Sequence, residues 1–436
     1  IRAAQVVFFP VQHLRPQPSA MSRPYSIVVW GATGFTGRLV CEHIAKDYKG
    51  SGLRWAMAGR NQKKMEELRE SLKQYDPEIT NVPIEIADAQ DFEAIQKITQ
   101  KTDVVIATAG PFTLYGSKMV EACVKGKAHY VDITGEVGWM RDMIDSYHGA
   151  AKEAGVKIVH TCGYDSQPAD LGTYFVVSEM RKRGMVPKYI EGMAGDAKGG
   201  FSGGTAASLL LALETGKEVT DKLAKTRGLN PDPDEKGDDP SDFFMYRWSE
   251  AHQSYTAPFV MAGINTRVVR RSRALYGEWY GPKLVYSETS QTNSMLGSLG
   301  MSSAMGLAGG LLAFPPTRWM LSKFVLPKPG EGPSRDLMMS GFWTFHMAGV
   351  AENGQKLKAV VQDKKRDPGY WGTARMLLES ALCLALNQKE LQAAEPALVA
   401  GGVLTPATAM GPVIIDRLQK AGITFEVSEV ITEAKL

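Results

Sequence analysis

The chain has few cysteines and histidines, and neither residue type occurs at a metal-binding spacing. Seven histidines in 436 residues include no H-E-x-x-H pair, so the sequence predicts no zinc site and no other metal site. The net charge of +3 comes with scattered basic residues, which argues against a nucleic-acid partner. The four cysteines are far apart and typical of a reducing compartment: Cys41, Cys123, Cys162 and Cys383.

Acidic residues are missing from the beginning of the chain, where the first carboxylate is Glu42. Residues 1–23 are therefore expected to form a basic leader or arm, which carries Arg2 and Arg15. Arginine-bearing, acid-poor segments are typical of transit peptides, and that interpretation would place the protein in an organellar matrix. An extended docking arm and an upstream translated stretch are the alternatives, and the sequence leaves all three open.

A glycine-rich turn at positions 31–37 is the most informative feature that is present. The apolar run Val28–Trp30 leads into glycines spaced G-x-x-G-x-x-G, and a helical pattern follows. Glycine lets the backbone approach a pyrophosphate closely, while the N–H groups of the next helix face the anion. Turns of this kind also occur for packing reasons. The candidate cofactor-binding residues of the turn are Gly31, Thr33, Gly34, Phe35, Thr36 and Gly37.

The second candidate strand, Leu53–Ala58, lacks a carboxylate at its end and has Gly59 and Arg60 there. An NAD site usually places Asp or Glu at this point to hold the ribose 2′-hydroxyl. A guanidinium suits a 2′-phosphate instead, and Lys63 and Lys64 follow closely. The sequence therefore predicts NADP as the cofactor, with a solvated helix-start arginine as the alternative.

Strands and helices alternate from Tyr25 to His160, which predicts an α/β fold with a Rossmann doubly wound parallel sheet. Ligands of such sheets lie beyond the carboxyl ends of the strands. Three more segments at these ends are candidates: Asp88 for the adenine amino group, Ala109, Gly110 and Pro111 for the nicotinamide ribose, and the acids Asp132 and Glu136 for the same cleft.

The pattern changes after Pro168, which predicts an inserted second α+β domain. We expect the NADP-binding domain at 24–167, the second domain at 168–365, and a helical return onto the first domain at 366–436. Alternation around Arg267–Arg273, Lys283–Thr289 and Ser340–Asp363 predicts antiparallel strands in the second domain. Gly372–Asn387 is expected to be the helix that packs back on the first domain.

Charged residues are absent from 289–317, a segment rich in Gly, Ala, Ser, Met and Leu. Its length approaches that of a membrane span, but glycine and serine make it weakly hydrophobic, and Pro315 and Pro316 end any helix. The alternatives are a buried or dimer-forming helical hairpin and a lipid-surface contact favoured by Arg318, Lys323 and Lys328. A transmembrane helix is the least favoured interpretation.

Together these motifs resemble the saccharopine dehydrogenase-like oxidoreductase family, which includes the trans-acting enoyl reductases. The resemblance spans about Tyr25 to Phe425 and implies a Rossmann domain, a second α/β domain, NADP(H) use, and lipid-droplet or membrane-surface association. The motifs that carry it are Gly31–Gly37, Ala58–Arg60, Ala109–Phe112, Tyr130–Glu136, Gly163–Gly172, Ser202–Thr205, Leu326–Pro333, Asp367–Tyr370 and Gly401–Pro406.

Short-chain dehydrogenases are excluded, because none of the fifteen tyrosines has a lysine four residues later. Hydride transfer still needs a proton donor beside the substrate. The candidate donors follow the sixth strand: Tyr164 and Asp165, with Cys162 a weaker candidate. Asp165 has the alternative role of accepting backbone N–H bonds within the loop.

The sequence thus predicts an NADP(H)-dependent oxidoreductase that transfers hydride to or from a hydrophobic carbonyl or enoyl substrate. The alternative is a catalytically silent nucleotide-binding protein with a structural or lipid-surface role, or a subunit of a larger assembly. A homodimer is a further expectation. The expected location is the cytoplasm or the surface of a lipid droplet or organelle, unless the leader is a transit peptide.

Overall fold

The computed structural model describes residues 23–200, 208, 210, 225, 227–235, 237–281, 283–328 and 330–431. The predicted leader lies outside these residues except for Arg23, and so does the Ser202–Thr205 motif. The guanidinium of Arg23 donates to the carbonyl oxygens of Thr99 and Gly126, which fixes the start of the first strand.

Strands in the described residues form two sheets, each with seven strands. The first has the order β13-β6-β5-β4-β1-β2-β3 and the second β14-β12-β11-β7-β10-β9-β8. Their bounds are β1 Tyr25–Trp30, β2 Trp55–Gly59, β3 Ile84–Ile86, β4 Thr102–Ala107, β5 His129–Asp132, β6 Lys157–Val159, β7 Pro187–Lys198, β8 Arg247–Ser249, β9 Ser254–Ala257, β10 Val285–Gln291, β11 Phe342–Ala351, β12 Lys356–Asp363, β13 Gly402–Leu404 and β14 Thr424–Ile431.

Helices of the described residues cover both faces of the first sheet and one region of the second. They are α1 Phe35–Asp47, α2 Gln62–Leu72, α3 Phe92–Thr99, α4 Phe112–Tyr115, α5 Ser117–Gly126, α6 Val137–Glu153, α7 Gln167–Lys182, α8 Ala262–Tyr276, α9 Met295–Ala313, α10 Pro315–Phe324, α11 Arg335–Met339, α12 Trp371–Leu386, α13 Gln388–Gln392 and α14 Pro406–Lys420. Short 3₁₀ turns lie at Pro77–Asn81 and Gly277–Trp279.

All strands of the first sheet are parallel, which confirms the Rossmann prediction. Its central strands are apolar runs because both faces are covered by helices; Val28, Val29 and Val105 are fully buried. Side-chain caps set the helix starts: the Asn61 side chain accepts the Lys64 N–H before α2, and that of Asp91 accepts the Ala94 N–H before α3.

The second sheet is mixed, as an α+β domain requires. β10 runs parallel to β7, while the pairs on either side are antiparallel. The predicted strands at Lys283–Thr289 and Ser340–Asp363 are confirmed as β10 and as the hairpin of β11 and β12, although β10 is antiparallel to β9 only.

The predicted strand at Arg267–Arg273 is wrong, because this segment lies inside helix α8. Its arginines do not form a solvent-facing row. Arg267 pairs with Asp242, and Arg273 pairs with Asp239 at 3.1 Å, both in buried contacts. The alternation of arginine with small and apolar residues therefore reflects buried ion pairs rather than the two faces of a strand.

The C-terminal segment 366–436 contributes to both sheets, and not only to the first domain as the sequence predicts. Helix α12 does pack on α1: the ring of Trp371 lies 3.9 Å from that of His43, and Tyr48 donates to Glu379 at 2.6 Å. Strand β13 then joins the first sheet. Strand β14, however, pairs antiparallel with β12 of the second sheet, because its Phe425 completes the core beneath α7.

The uncharged segment contains helix α9 and the first residues of α10, and the hairpin of these two helices is exposed rather than buried. Leu296 is 79% exposed and Phe324 68% exposed. Helix α9 is long and apolar enough to cross a membrane, by length and composition alone. Only 6% of its apolar stretch is buried inside the described structure. The buried interpretation of this segment is therefore wrong for the described chain.

Candidate active site

The glycine turn brings the first helix unusually close to the end of β1. Gly31 has a φ of +81°, a conformation that favours glycine. A Cβ added at Gly37 would lie 2.3 Å from the carbonyl oxygen of Gly31, so this position has no room for a side chain. The Gly34 N–H donates to the same carbonyl at 2.8 Å and closes the turn.

Helix α1 begins at the turn with its positive end uncapped by any side chain of the described residues. Its first turn contains no acidic residue, and Arg38 donates to the carbonyl oxygen of Thr33 at 3.0 Å. Free N–H groups, a helix dipole and a space that excludes side chains are what a pyrophosphate requires. The residues present fit a dinucleotide.

Beyond β2, Arg60 is exposed, and Lys63 and Lys64 on α2 are exposed beside it. This donor set suits the 2′-phosphate that distinguishes NADP from NAD. Asp88 is also exposed at the end of β3, and its carboxylate accepts the Gln90 N–H at 2.9 Å. Its proposed contact with adenine stays a prediction.

The loop after β4 is fixed from both sides. Thr108 donates to the carbonyl oxygen of Trp30 at 2.9 Å, which ties the loop to the glycine turn. Glu136 accepts the N–H groups of Phe112 and Thr113 at 2.9 and 2.8 Å. Glu136 thus caps α4 and holds Ala109–Pro111 in place, and its position in the cleft stays a prediction.

Asp132 at the end of β5 is likewise used for support. It is fully buried, and its carboxylate contacts His160 Nδ1 at 2.7 Å. It also accepts the N–H groups of Thr134 and Thr161, so it joins the loops after β5 and β6. Sequence reasoning missed His160, which has no motif of its own and is recognisable only from this contact.

Tyr164 and Asp165 lie in the loop between β6 and α7, where the two domains meet. The Tyr164 N–H donates to Thr373 of α12 at 3.1 Å, and its ring lies 5.2 Å from that of Trp343 on β11. Oδ1 of Asp165 is buried and has no partner among the described residues. Burial raises the pKa of Asp165 to about 7, so this carboxyl is partly protonated near neutrality.

Tyr164 and Cys162 are less suited to give up a proton. Burial, with the charge of Asp165, raises the pKa of Tyr164 far above its usual value. Burial likewise raises the pKa of Cys162, and the side chain is fully enclosed. The Tyr164 hydroxyl is therefore suited to donating hydrogen bonds, whereas Asp165 is suited to proton transfer.

Glu288 on β10 is a further buried carboxyl that sequence reasoning missed. It is 2% exposed, and it accepts from Asn265 Nδ2 at 2.6 Å and from the Tyr286 hydroxyl at 3.0 Å. Burial raises its pKa to about 8, and the charge of Asp165 contributes. In the sequence, Glu288 could have been recognised as a lone acid in an otherwise uncharged strand.

Comparison with known proteins gives this arrangement its context. Residues 27–159 match the family described as saccharopine dehydrogenase NADP binding domain. A Mycobacterium tuberculosis protein, provisionally named a trans-acting enoyl reductase, is 36% identical over 425 residues, which cover 94% of this chain and 98% of the relative. This chain belongs to the saccharopine dehydrogenase-like oxidoreductase family.

Other relatives agree with this assignment. The trans-acting enoyl reductase of Mycobacterium bovis BCG is 34% identical, with 93% of this chain and 98% of the relative covered. That of Mycobacterium leprae is 32% identical, with 92% and 97% covered. Saccharopine dehydrogenase (L-Glu forming) of Saccharomyces cerevisiae shares the fold at a TM-score of 0.51 and 13% identity, with 93% and 99% covered.

Membership of this family also establishes the cofactor and the reaction class. The matched NADP-binding domain covers β1 to β6, including the whole glycine turn and Arg60. NADP is therefore the cofactor, and the protein is an NADP-dependent oxidoreductase. The residues suited to hold the dinucleotide are those predicted from the sequence; their individual contacts stay predictions.

Proposed function

We propose that this protein is an NADPH-dependent reductase that acts on an enoyl or carbonyl group of a hydrophobic substrate. The observation that carries the proposal is Oδ1 of Asp165, a buried carboxyl oxygen with no partner among the described residues, at the carboxyl edge of the nucleotide-binding sheet. The relatives named trans-acting enoyl reductases match nearly the whole chain and support the enoyl class.

Each residue of the cleft has a distinct task in this proposal. NADPH, when bound, supplies the hydride. The uncapped first turn of α1 holds the pyrophosphate, and Arg60 holds the 2′-phosphate. Asp165 gives its proton to the substrate atom that becomes negative, and Tyr164 orients the substrate by a hydrogen bond. The alternative of a catalytically silent protein is less favoured, because the full-length relatives carry the name of an activity.

The proposed function is tested by measuring NADPH oxidation with enoyl thioesters of increasing acyl length. Asp165→Asn is expected to lower kcat by about 10²-fold or more, the usual contribution of a general acid. Arg60→Ala is expected to weaken NADPH binding by about tenfold or more while leaving NADH binding nearly unchanged, since charge-assisted bonds contribute about 1.5–3 kcal/mol.

Arg183→Ala is the matched control, because Arg183 is a surface residue at the far end of α7 that pairs with Glu179. It should leave both measurements unchanged. Absence of NADPH turnover with every enoyl and carbonyl substrate would contradict the proposed reaction. Equal loss of NADPH and NADH binding in Arg60→Ala would contradict the role of Arg60.

A lipid surface is the second element of the proposal, and the exposed hairpin of α9 and α10 favours it. Large apolar side chains such as Leu307, Phe314 and Trp319 are 58–67% exposed there. Lys323 lies within 4.9 Å of the Trp319 ring, so a cation and an aromatic group stand together. Such a pairing suits the boundary between headgroups and acyl chains. We propose that the hairpin rests on a membrane or lipid-droplet surface, with a second copy of the chain as the alternative occupant.

A further inference from the structure

A short segment between α10 and α11 lies against the first helix of the nucleotide-binding sheet. We call this segment, residues 330–335, the strap. It lies outside the matched NADP-binding domain, which ends at residue 159. Gly332 of the strap nevertheless meets the ring of Phe35, the first residue of α1. A distant part of the chain therefore contacts the glycine turn.

The contact between Gly332 and Phe35 has no room for a side chain on the strap. A Cβ added at Gly332 would lie 2.4 Å from Cζ of Phe35 and 2.6 Å from its Cε2. Gly332 does not have a positive φ, so this contact, rather than the backbone conformation, is the reason for glycine here. The Phe35 ring also meets Tyr370 edge to face, with the ring centroids 5.2 Å apart. Two neighbours thus fix the ring, one from the motif Leu326–Pro333 and the other from Asp367–Tyr370.

An ion pair joins the strap to α1 a second time. The guanidinium of Arg335 donates to both carboxylate oxygens of Glu42, at 3.0 Å to Oε2 and 2.5 Å to Oε1. Phe35 and Glu42 have the spacing i, i+7, so they lie on the same face of α1. Arg335 also lies over the ring of Trp371, 5.5 Å from the ring centroid. The strap therefore contacts α1 at its first turn and again two turns later.

The strap is itself packed against the end of β7 and the loop before α12. A Cβ added at Gly200, just after β7, would lie 2.9 Å from Cβ of Pro333. The N–H of Asp367 donates to the carbonyl oxygen of Met338 in α11 at 3.0 Å. The carboxylate of Asp367 accepts the N–H of Tyr370 at 3.0 Å. The strap and Tyr370 thus belong to one connected set of contacts around Phe35.

Phe35 carries one of the backbone donors of the nucleotide site. It is the first residue of α1, and Gly34 before it supplies no side-chain cap. The N–H groups of the first turn are therefore available to a pyrophosphate. In a close-packed contact, a ring and the backbone that carries it move together. Contacts that fix the Phe35 ring therefore also fix the direction of these N–H groups.

The strap also borders the predicted site of the 2′-phosphate. A groove of about 490 Å³ lies between the strap, α1 and α2. Gly330 and Arg335 of the strap line it together with Arg38 and Lys64. Lys64 is one of the cations that suit the 2′-phosphate of NADP. The strap is therefore next to both parts of the site that hold phosphate groups.

We propose that the strap completes the NADP site, with Gly332 and Arg335 as positioning residues that fix the first turn of α1 through Phe35 and Glu42. The inference deepens the proposed function and rests on its placement of the pyrophosphate at this turn. The strap contacts the turn and not Tyr164 or Asp165. It therefore sets the affinity for the cofactor, and the rate of hydride transfer from bound cofactor does not depend on it.

The main test is the dissociation constant of NADPH, measured by its fluorescence, in Gly332→Ala. The added methyl group displaces the Phe35 ring, and overpacking of this kind should weaken NADPH binding by about tenfold. NADH binding should weaken by the same factor, because both cofactors contain the pyrophosphate. Arg60→Ala, in contrast, should weaken the binding of NADPH alone. At saturating NADPH, the kcat of Gly332→Ala should equal that of the native protein.

Phe35→Ala provides a rescue that separates positioning from a general structural role. It leaves a space where the ring was, so adding Gly332→Ala should not weaken NADPH binding further. Gly309→Ala is the matched control, because Gly309 is exposed on α9 and a Cβ there would meet nothing within 4 Å. It should bind NADPH as the native protein does. An equal further loss in the Phe35→Ala background would overturn the inference, as would unaltered NADPH binding in folded Gly332→Ala.

Arg335→Ala tests the same inference at an exposed position, even if Gly332→Ala does not fold. NADPH binding should weaken by about twofold to fivefold, the range of a partly exposed ion pair. Arg335→Lys keeps the charge and should restore most of the affinity, while Arg183→Ala should leave it unchanged. Native affinity in Arg335→Ala, with only the free energy of unfolding lowered, would overturn the inference. Absence of NADPH binding in the native protein would instead contradict the proposed function.

Discussion

Two aspartates in α7 and the loop before it show how contacts separate a functional carboxyl from a structural one. Burial raises the pKa of both Asp165 and Asp170 to about 7. Asp170 is bonded on both oxygens, since Ser272 donates to one and the Ala407 N–H donates to the other at 2.8 Å. Oδ1 of Asp165 is buried and has no partner in the part of the chain that the structure describes. Only Asp165 is therefore available to a substrate, although both lie in the same sequence motif.

Gly37→Ala should damage the nucleotide site through packing alone. The added methyl group would lie 2.3 Å from the Gly31 carbonyl, which forces α1 away from β1. We expect a loss of about 1–3 kcal/mol in the free energy of unfolding and at least tenfold weaker NADPH binding. The measurements are urea unfolding and quenching of tryptophan fluorescence by NADPH.

Gly149→Ala is the control for this change. Gly149 is exposed within α6, and a Cβ there would meet nothing within 4 Å. It should stabilise the protein by about 0.4–1 kcal/mol and leave NADPH binding unchanged. Unaltered binding in Gly37→Ala would show that the turn does not hold the pyrophosphate.

At the scale of elements, local patterns predicted the first domain well and the second less well. The glycine turn, Arg60 and the strand ends follow from spacing within short segments. Helix α8 was predicted as a strand. Its arginines are buried against Asp239 and Asp242, and a local pattern cannot show such ion pairs, because these partners lie 25 or more residues away in the sequence. Glu288 and Asp165 are 123 residues apart in the sequence, so no local pattern shows that the charge of Asp165 acts on Glu288.

The hairpin of α9 and α10 predicts binding to lipid vesicles. Phe324→Ser should reduce the bound fraction in a flotation assay by about tenfold, since burial of a large apolar side chain contributes about 1.5–3 kcal/mol. Anionic vesicles should bind more protein than neutral ones, because Arg318, Lys323 and Lys328 flank the apolar surface.

Phe244→Ser is the matched control, because Phe244 is 83% exposed outside the hairpin. It should bind vesicles as the native protein does. Failure of the native protein to float with anionic vesicles and with a neutral-lipid emulsion would contradict the lipid proposal. A dimer that Phe324→Ser dissociates, seen by sedimentation, would assign the surface to a second copy of the chain.

For the whole molecule, buried acids change the stability with pH in two opposite ways. Asp165, Asp170 and Glu288 have raised pKa values in the folded state. Their contribution is complete below their unfolded pKa, near 4, and is lost as the pH rises through about 7 to 8. Lysine and arginine partners lower the pKa of Glu42 to about 2, so its contribution is lost as the pH falls from about 4 toward 2.

Thermal unfolding should therefore be most resistant at about pH 4 to 5 and should weaken by several degrees by about pH 9. Glu288→Gln should flatten the alkaline decline, because an amide has no proton to lose. Arg335→Ala should make the loss of stability at acid pH smaller than in the native protein, because Glu42 loses the partner that lowers its pKa. Differential scanning calorimetry can measure both changes. A stability maximum above pH 8 would contradict this assignment.

The path of the C-terminal segment has a consequence for how the protein can be divided. After the second sheet is nearly complete, the chain returns to place β13 at the edge of the first sheet and then crosses back to add β14 to the second. A gene shortened between codons 365 and 402 would thus lack a strand from each half at once. The two halves are one indivisible folding unit, and neither is expected to yield a soluble fragment by proteolysis or separate expression.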